Sequence, residues 1–97
     1  MKRLNVSGPV ITEALIRPVK GDTTLSQLVI TGANFRPGAV IEFLKDGQVV
    51  RQQSPDSNKV GRLTADIRNR RLLALEPFSV RVVNPGGAES KLVEPIR

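Results

Sequence analysis

Turn-forming residues divide this sequence into short apolar segments at nearly regular intervals. Clusters of Gly, Pro, Asn, Asp and Ser stand at residues 7–9, 18–22, 36–38, 46–47, 54–57 and 84–87. The segments between these clusters do not suit a long helix, whereas strands of about five to six residues fit them. Short apolar runs at this spacing are typical of an all-β sandwich or barrel. We therefore predict an all-β fold.

Alternation of apolar and polar residues indicates which face of each strand points into the core. Because side chains alternate across a strand, residues two apart share a face. The predicted inward-facing residues are Leu28, Ile30, Ile41, Phe43, Phe78, Val80 and Val82. Asp46-Gly47 lies between two such segments and predicts a tight hairpin, because glycine accepts the positive φ that the turn requires. Glu42 and Arg81 are predicted to point outward, and they are cross-strand neighbours if their strands adjoin.

The strand path between Gln52 and Leu75 is left open by the sequence. Residues 63–67 have the pattern of a strand, whereas residues 68–75 are rich in good helix formers. We predict a strand followed by a short helical turn, which Glu76-Pro77 ends because proline disfavours helical geometry in the residue before it. A last strand is predicted over residues 90–96. The 97 residues form one domain, with a core over about residues 9–96.

The sequence contains no histidine, cysteine, tryptophan or tyrosine. Thiolate chemistry is thereby excluded, and the serines lack the imidazole partner that activates a nucleophile. The carboxylates are scattered in turns and on polar strand faces and do not form the pair that glycoside hydrolysis needs. We expect no enzyme activity, no catalytic residues and no cofactor.

Calcium binding is an alternative for a few turn residues. Asp46, or Asp56 with Asn58, offers oxygen ligands, but their spacing matches no known calcium loop. Capping of turns by Asx side chains explains the same residues, so we predict no metal site.

Basic residues give the chain a formal net charge of +6. The predicted patch for an anionic partner comprises Arg62, Arg68, Arg70 and Arg71, with Arg51 as a neighbour. Without aromatic stacking groups, nucleic-acid binding through this patch would be electrostatic and salt-sensitive. The alternatives are a solvated face, or charges that discourage pairing between exposed strand edges.

Two stretches of the sequence resemble a known family. The first is Leu28-Val29-Ile30-Thr31-Gly32-Ala33-Asn34-Phe35, and the second runs from Phe78 through Asn84-Pro85-Gly86-Gly87 to Ser90. Together they are similar to the IPT/TIG domains of bacterial type, which are immunoglobulin-like modules. The resemblance is weak over residues 52–67, and residues 68–71 stand where members often have a proline.

This resemblance implies an immunoglobulin-like antiparallel sandwich of about seven strands. It places Gly32 at a turn and returns Phe35 to the core. The residues of the implied structural turn motif are Gly32, Asn34, Phe35, Asn84, Pro85, Gly86 and Gly87. The motif serves the backbone conformation and is not a ligand fingerprint.

The expected function is a non-catalytic binding or spacer module of a larger surface or secreted assembly, with a protein partner or neighbouring domains. The alternatives are an electrostatic nucleic-acid-binding or dimerisation module, and a carbohydrate-binding accessory domain, which the lack of Trp and Tyr disfavours. The start of the chain lacks the apolar run of a signal peptide, and no segment is long and apolar enough to insert into a membrane. A segment of an exported, surface protein is favoured over a complete cytoplasmic chain, and the oligomeric state stays open.

Overall fold

The computed structural model describes residues 8–59 and 61–97. These residues form seven strands and one short helix. In chain order the elements are β1 (Val10–Val19), β2 (Asp22–Ala33), β3 (Val40–Lys45), β4 (Gln48–Gln53), β5 (Ser57–Lys59), β6 (Arg62–Arg68), α1 (Asn69–Leu75) and β7 (Ser79–Val83). The strand and short helical turn predicted before Glu76 are thus confirmed as β6 and α1.

The strands form two antiparallel sheets, one in the order β1-β2-β6-β5 and the other in the order β4-β3-β7. The first, second, fifth and sixth strands therefore share one sheet, and the third, fourth and seventh share the other. With the strands lettered as in immunoglobulin-like sandwiches, the first sheet has the order A-B-E-D and the second the order C′-C-F. The predicted fold class, an all-β immunoglobulin-like antiparallel sandwich of about seven strands, is confirmed.

The core lies between the inner faces of the two sheets. All the predicted inward-facing residues are at most 7% exposed. The rings of Phe43 and Phe78 pack with their centroids 5.4 Å apart. Strand β6 adds Leu63, Ala65 and Ile67 to the same cluster, because every second residue of that strand faces inward.

The predicted hairpin at Asp46-Gly47 is confirmed and joins β3 to β4. Both residues have positive φ, 52° at Asp46 and 79° at Gly47, which matches the right-handed twist of the flanking strands.

Strand β1 lies at the edge of its sheet, where Pro18 is tolerated because an edge strand has amide positions that need no partner.

The chain after β7 differs from the continuous strand predicted over residues 90–96. It contacts β7 through isolated bridges at Glu89 and Val93, and then reaches β1 of the other sheet, where Ile96 bridges Leu15 in parallel. Pro95 has no amide proton to continue a ladder beside β7. The segment therefore connects the two sheets.

Within the described part of the chain, no helix has the length and apolar character needed to cross a membrane.

Candidate binding surface at the helical end of the sandwich

Helix α1 carries the chain from β6 of one sheet to β7 of the other, and we call this end of the sandwich the helical end. The first residue of α1, Asn69, donates from Nδ2 to the carbonyl oxygen of Thr23 over 2.9 Å. The Ser26 hydroxyl donates to Asn69 Oδ1. One turn later Leu72 is 2% exposed and belongs to the core. The helix is thus fixed to β2 by hydrogen bonds and to the core by one leucine.

Helix geometry leaves the neighbouring leucine outside. Leu72 and Leu75 are three residues apart and pack against the core, whereas the next residue after Leu72 is rotated by about 100° around the axis. Leu73 is accordingly 67% exposed, the largest value among the large hydrophobic residues in the described part of the chain. The core does not require a leucine at this position.

A groove lies between α1 and the adjoining ends of β1 and β2, and we call it the α1 groove. Its volume is about 550 Å³, within the range of roughly 300–1,000 Å³ typical of ligand sites. The lining residues are Ile16, Arg17, Pro18, Thr23, Leu25, Ser26, Asn69, Leu72, Leu73 and Arg97. Apolar atoms form most of this lining, although half of the ten residues are polar, among them an arginine from β1 and another from the end of the chain.

A smaller recess adjoins the groove at Asn69 and adds two more arginines. Its lining consists of Thr24, Arg68, Asn69 and Arg70. Arg68 ends β6 and Arg70 lies in the first turn of α1, so the change from strand to helix brings these two side chains to one recess.

Of the arginines around the α1 groove, one has an acidic partner and others do not. Arg97 forms an ion pair with Glu76, and Arg17 donates from Nε and Nη2 to Gln27 Oε1 over 3.1 and 3.0 Å. Within the described residues, neither Arg17 nor Arg70 has a carboxylate within salt-bridge distance. The rim of the groove therefore carries positive charge that internal acids do not neutralise.

The charge of Asp22 interacts with that of Arg68 in the recess. Asp22 Oδ1 accepts hydrogen bonds from the Thr24 hydroxyl over 2.6 Å and from the Thr24 amide over 2.9 Å. These bonds hold the pKa of the Asp22 carboxyl below its ordinary value, and the charge of Arg68 acts in the same direction.

The predicted arginine patch is divided by the fold. Arg62 begins β6 and Arg68 ends it, so their backbones are about 20 Å apart at the rise of a strand. Arg70 shares the recess with Arg68, whereas Arg71 lies near Arg51. Burial, and after it the charge of Arg71, lowers the pKa of Arg51. The structure thus brings together two pairs, Arg68 with Arg70 and Arg51 with Arg71, and places Arg62 apart.

The turn motif implied by the family resemblance lies at the opposite end, which we call the turn end. Asn84 is only 4% exposed. Its Oδ1 accepts from the Arg36 amide over 3.0 Å, and its Nδ2 donates to the Asn34 carbonyl over 2.8 Å. Asn34 itself has a φ of 65°. Asn84 thus fastens the loop after β2 to the turn after β7.

The rest of the motif adopts conformations that support this arrangement. Gly86 and Gly87 have φ values of 98° and 101°, which glycine adopts without steric cost, and Pro85 precedes them in the turn. Phe35 is partly buried against the core, as the resemblance implies. Gly32 differs from that expectation, because it lies within β2 and not at a turn. A Cβ there would stand 1.8 Å from the Val10 carbonyl oxygen, so close strand approach explains the glycine.

Two of the three residues considered for calcium form side-chain hydrogen bonds with backbone groups. Asp56 Oδ2 accepts from the Asp66 amide over 2.7 Å, and Asn58 Nδ2 donates to the Arg36 carbonyl over 2.9 Å. Asp46 lies in the β3–β4 hairpin. In the ranges 8–59 and 61–97, no three acidic side chains converge as metal ligands would.

The predicted neighbours Glu42 and Arg81 are confirmed as a cross-strand pair. They are in register between β3 and β7, and Arg81 Nε lies 2.8 Å from Glu42 Oε1. Arg81 also contacts Glu89 at 3.3 Å. This half-buried network joins β3, β7 and the segment after β7, and its role is structural.

The residues that sequence reasoning missed are Leu73, Arg17 and Arg97, which meet at the α1 groove. The available signal was the pair Leu72-Leu73 in a short helix, because only one of two adjacent helical residues can face the core.

No family model matches the chain, and comparisons with curated proteins and with solved structures give no significant match.

Proposed function

We propose that this protein is a non-catalytic immunoglobulin-like module, similar to bacterial IPT/TIG domains, that binds another protein through its helical end. The observation that carries the proposal is Leu73, which is 67% exposed at the edge of an apolar groove. A single exposed leucine is ordinary on a protein surface. A leucine that adjoins a formed apolar groove supplies the kind of central anchor on which interfaces depend.

Energetics favour a protein contact at this position. Covering a leucine side chain contributes about 1.5–3 kcal/mol of apolar burial. Leu25 is half-buried in the same groove and adds apolar surface. A partner that covers both residues gains from dehydration, and nearby arginines are frequent components of protein interfaces.

The spacer component of this proposal is supported by the course of the chain. Gly8 lies near Ala88 at the turn end, whereas Arg97 pairs with Glu76 at the helical end. The described chain therefore passes from one end of the sandwich to the other. Two neighbouring domains, one in contact with each end of the sandwich, would be held apart by its length.

Site-specific photocrosslinking tests the binding surface. A benzophenone amino acid is placed at Leu73, and at Val49 of β4 as a control that is 46% exposed. In cells that produce the protein, we expect a discrete protein adduct from position 73 that is absent from position 49. Adducts that are identical from both positions, or absent from both, would contradict the proposal.

A second candidate function, electrostatic binding of nucleic acid, is favoured by one specific observation. Arg51 and Arg71 lie close enough for their charges to interact, and no ion pair in the described chain involves either of them. A gel-shift titration with single-stranded and double-stranded DNA at low and moderate salt tests it. Binding should weaken steeply with salt and weaken further in Arg71→Gln. Absence of binding at low salt would eliminate this function.

A further inference from the structure

We propose that the α1 groove receives an extended acidic segment of a partner protein, with one leucine-like side chain packed against Leu25 and Leu73 and flanking carboxylates bound by Arg17 and Arg70. This inference rests on the proposed binding function and specifies the chemistry of the partner.

The apolar part of the site follows from the groove lining. Ile16 and Leu72 are buried at 9% and 2% exposure and form its floor. Leu25 and Leu73 come from opposite elements, β2 and α1. An inserted aliphatic side chain therefore meets apolar surface on two sides, which is the geometry of an anchor residue in a pocket.

The charged part follows from two arginines on different elements. Arg17 of β1 lines the groove, and Arg70 of α1 lines the recess that adjoins it at Asn69. Of the acids nearby, Glu76 pairs with Arg97 and the charge of Asp22 interacts with that of Arg68, whereas no carboxylate of the described residues lies within salt-bridge distance of Arg17 or Arg70. Carboxylates from a partner would complement the remaining arginines, because guanidinium groups bind carboxylates with paired hydrogen bonds.

The arrangement favours an extended chain. In an extended segment, alternate side chains point to opposite sides. An apolar residue directed into the groove then shares its face with the residues two positions before and after it, where acidic groups reach the rim arginines. A segment with an aliphatic residue midway between two acidic residues, each two positions away, fits this pattern.

Peptide binding tests the inference directly. The probe is the fluorescein-labelled pentapeptide Asp-Ser-Leu-Ser-Asp, in which leucine and both aspartates share one face when the chain is extended, and its binding to the purified protein is measured by fluorescence anisotropy. Two control peptides replace the leucine by serine or the aspartates by lysine. We expect the aspartate–leucine peptide to bind at least about tenfold more tightly than either control. Equal binding of the serine control would overturn the apolar anchor.

Protein variants locate the site. Leu73→Ser and Arg70→Glu should each weaken binding by about tenfold, and Arg70→Glu should gain affinity for the lysine–leucine peptide. Arg62→Glu makes the same charge change at the far end of β6 and should alter affinity by less than about twofold. Circular dichroism verifies that each variant is folded. An equal loss from Arg62→Glu and Arg70→Glu would overturn the inference in favour of general charge attraction.

Two further outcomes separate this inference from the broader proposal. If position 73 crosslinks a protein whose contact segment is not acidic, the inference fails and the binding function stands. If a single-stranded DNA oligonucleotide displaces the peptide and binds more tightly, with the loss spread over all arginine variants, the site is electrostatic and the inference fails. Displacement by an unlabelled aspartate–leucine peptide alone supports it.

Discussion

The side chain of Asn84 connects two loops at the turn end, and its replacement by alanine should destabilise the fold. The substitution removes an acceptor from the Arg36 amide and a donor from the Asn34 carbonyl. Each backbone group left without its partner costs about 1–3 kcal/mol when buried. Because both groups are only partly buried and regain some water, we expect a total loss of about 2–4 kcal/mol. This is a large share of the roughly 5–15 kcal/mol that stabilises a domain.

Urea unfolding followed by circular dichroism measures this loss. The transition midpoint should fall in Asn84→Ala while the slope m stays unchanged, because the surface exposed on unfolding is nearly the same. Asn58→Ala is the matched control, since Asn58 is exposed and makes one side-chain bond to the Arg36 carbonyl. We expect that control to lose less than about 1 kcal/mol. Equal losses in the two variants would refute the argument that Asn84 connects the loops.

Three other substitutions probe separate parts of the fold. Gly32→Ala places a Cβ 1.8 Å from a carbonyl oxygen of β1, so it should destabilise the protein by at least about 3 kcal/mol in urea unfolding; a smaller loss would contradict the close strand approach. A double-mutant cycle on Glu42 and Arg81 should give a coupling energy of about 1 kcal/mol, and additive effects would show that the pair is not coupled. Thr24→Val removes the hydrogen bond that is the main cause of the lowered pKa of Asp22, so that pKa should rise in an NMR titration. The bond stabilises the fold above the ordinary carboxyl pKa, and the part of the stability difference between wild type and variant that this bond causes should be lost as the pH falls through the pKa of Asp22 in the folded protein.

The fold was predictable because its determinants are local. Alternation within a strand depends on adjacent residues only, and Asp46-Gly47 determines its hairpin through its own backbone preferences. The pairing of Glu42 with Arg81 depended in addition on whether their strands adjoin, as in an immunoglobulin-like sandwich, and they do. Only the first two of these features need no knowledge of distant contacts.

The helical end was less predictable because its features depend on three-dimensional placement. Arg68, Arg70 and Arg71 are almost consecutive, but the change from strand to helix directs Arg71 towards Arg51 and leaves Arg70 beside Arg68. The segment after β7 was predicted as a strand from its composition. Its hydrogen bonds instead go to both sheets, and no local pattern records which sheet a residue will meet.

The α1 groove is a consequence of how the chain crosses between the sheets. A helix of seven residues spans about 10 Å, which is close to the separation of packed sheets. It is long enough to bridge the gap and too short to cover the ends of β1 and β2. With Leu72 facing the core, Leu73 must face outward, and its replacement by serine should change the free energy of unfolding by less than about 0.5 kcal/mol. Binding and stability are therefore separable at the helical end, whereas at the turn end a change at Asn84 should lower stability and leave peptide affinity unaltered.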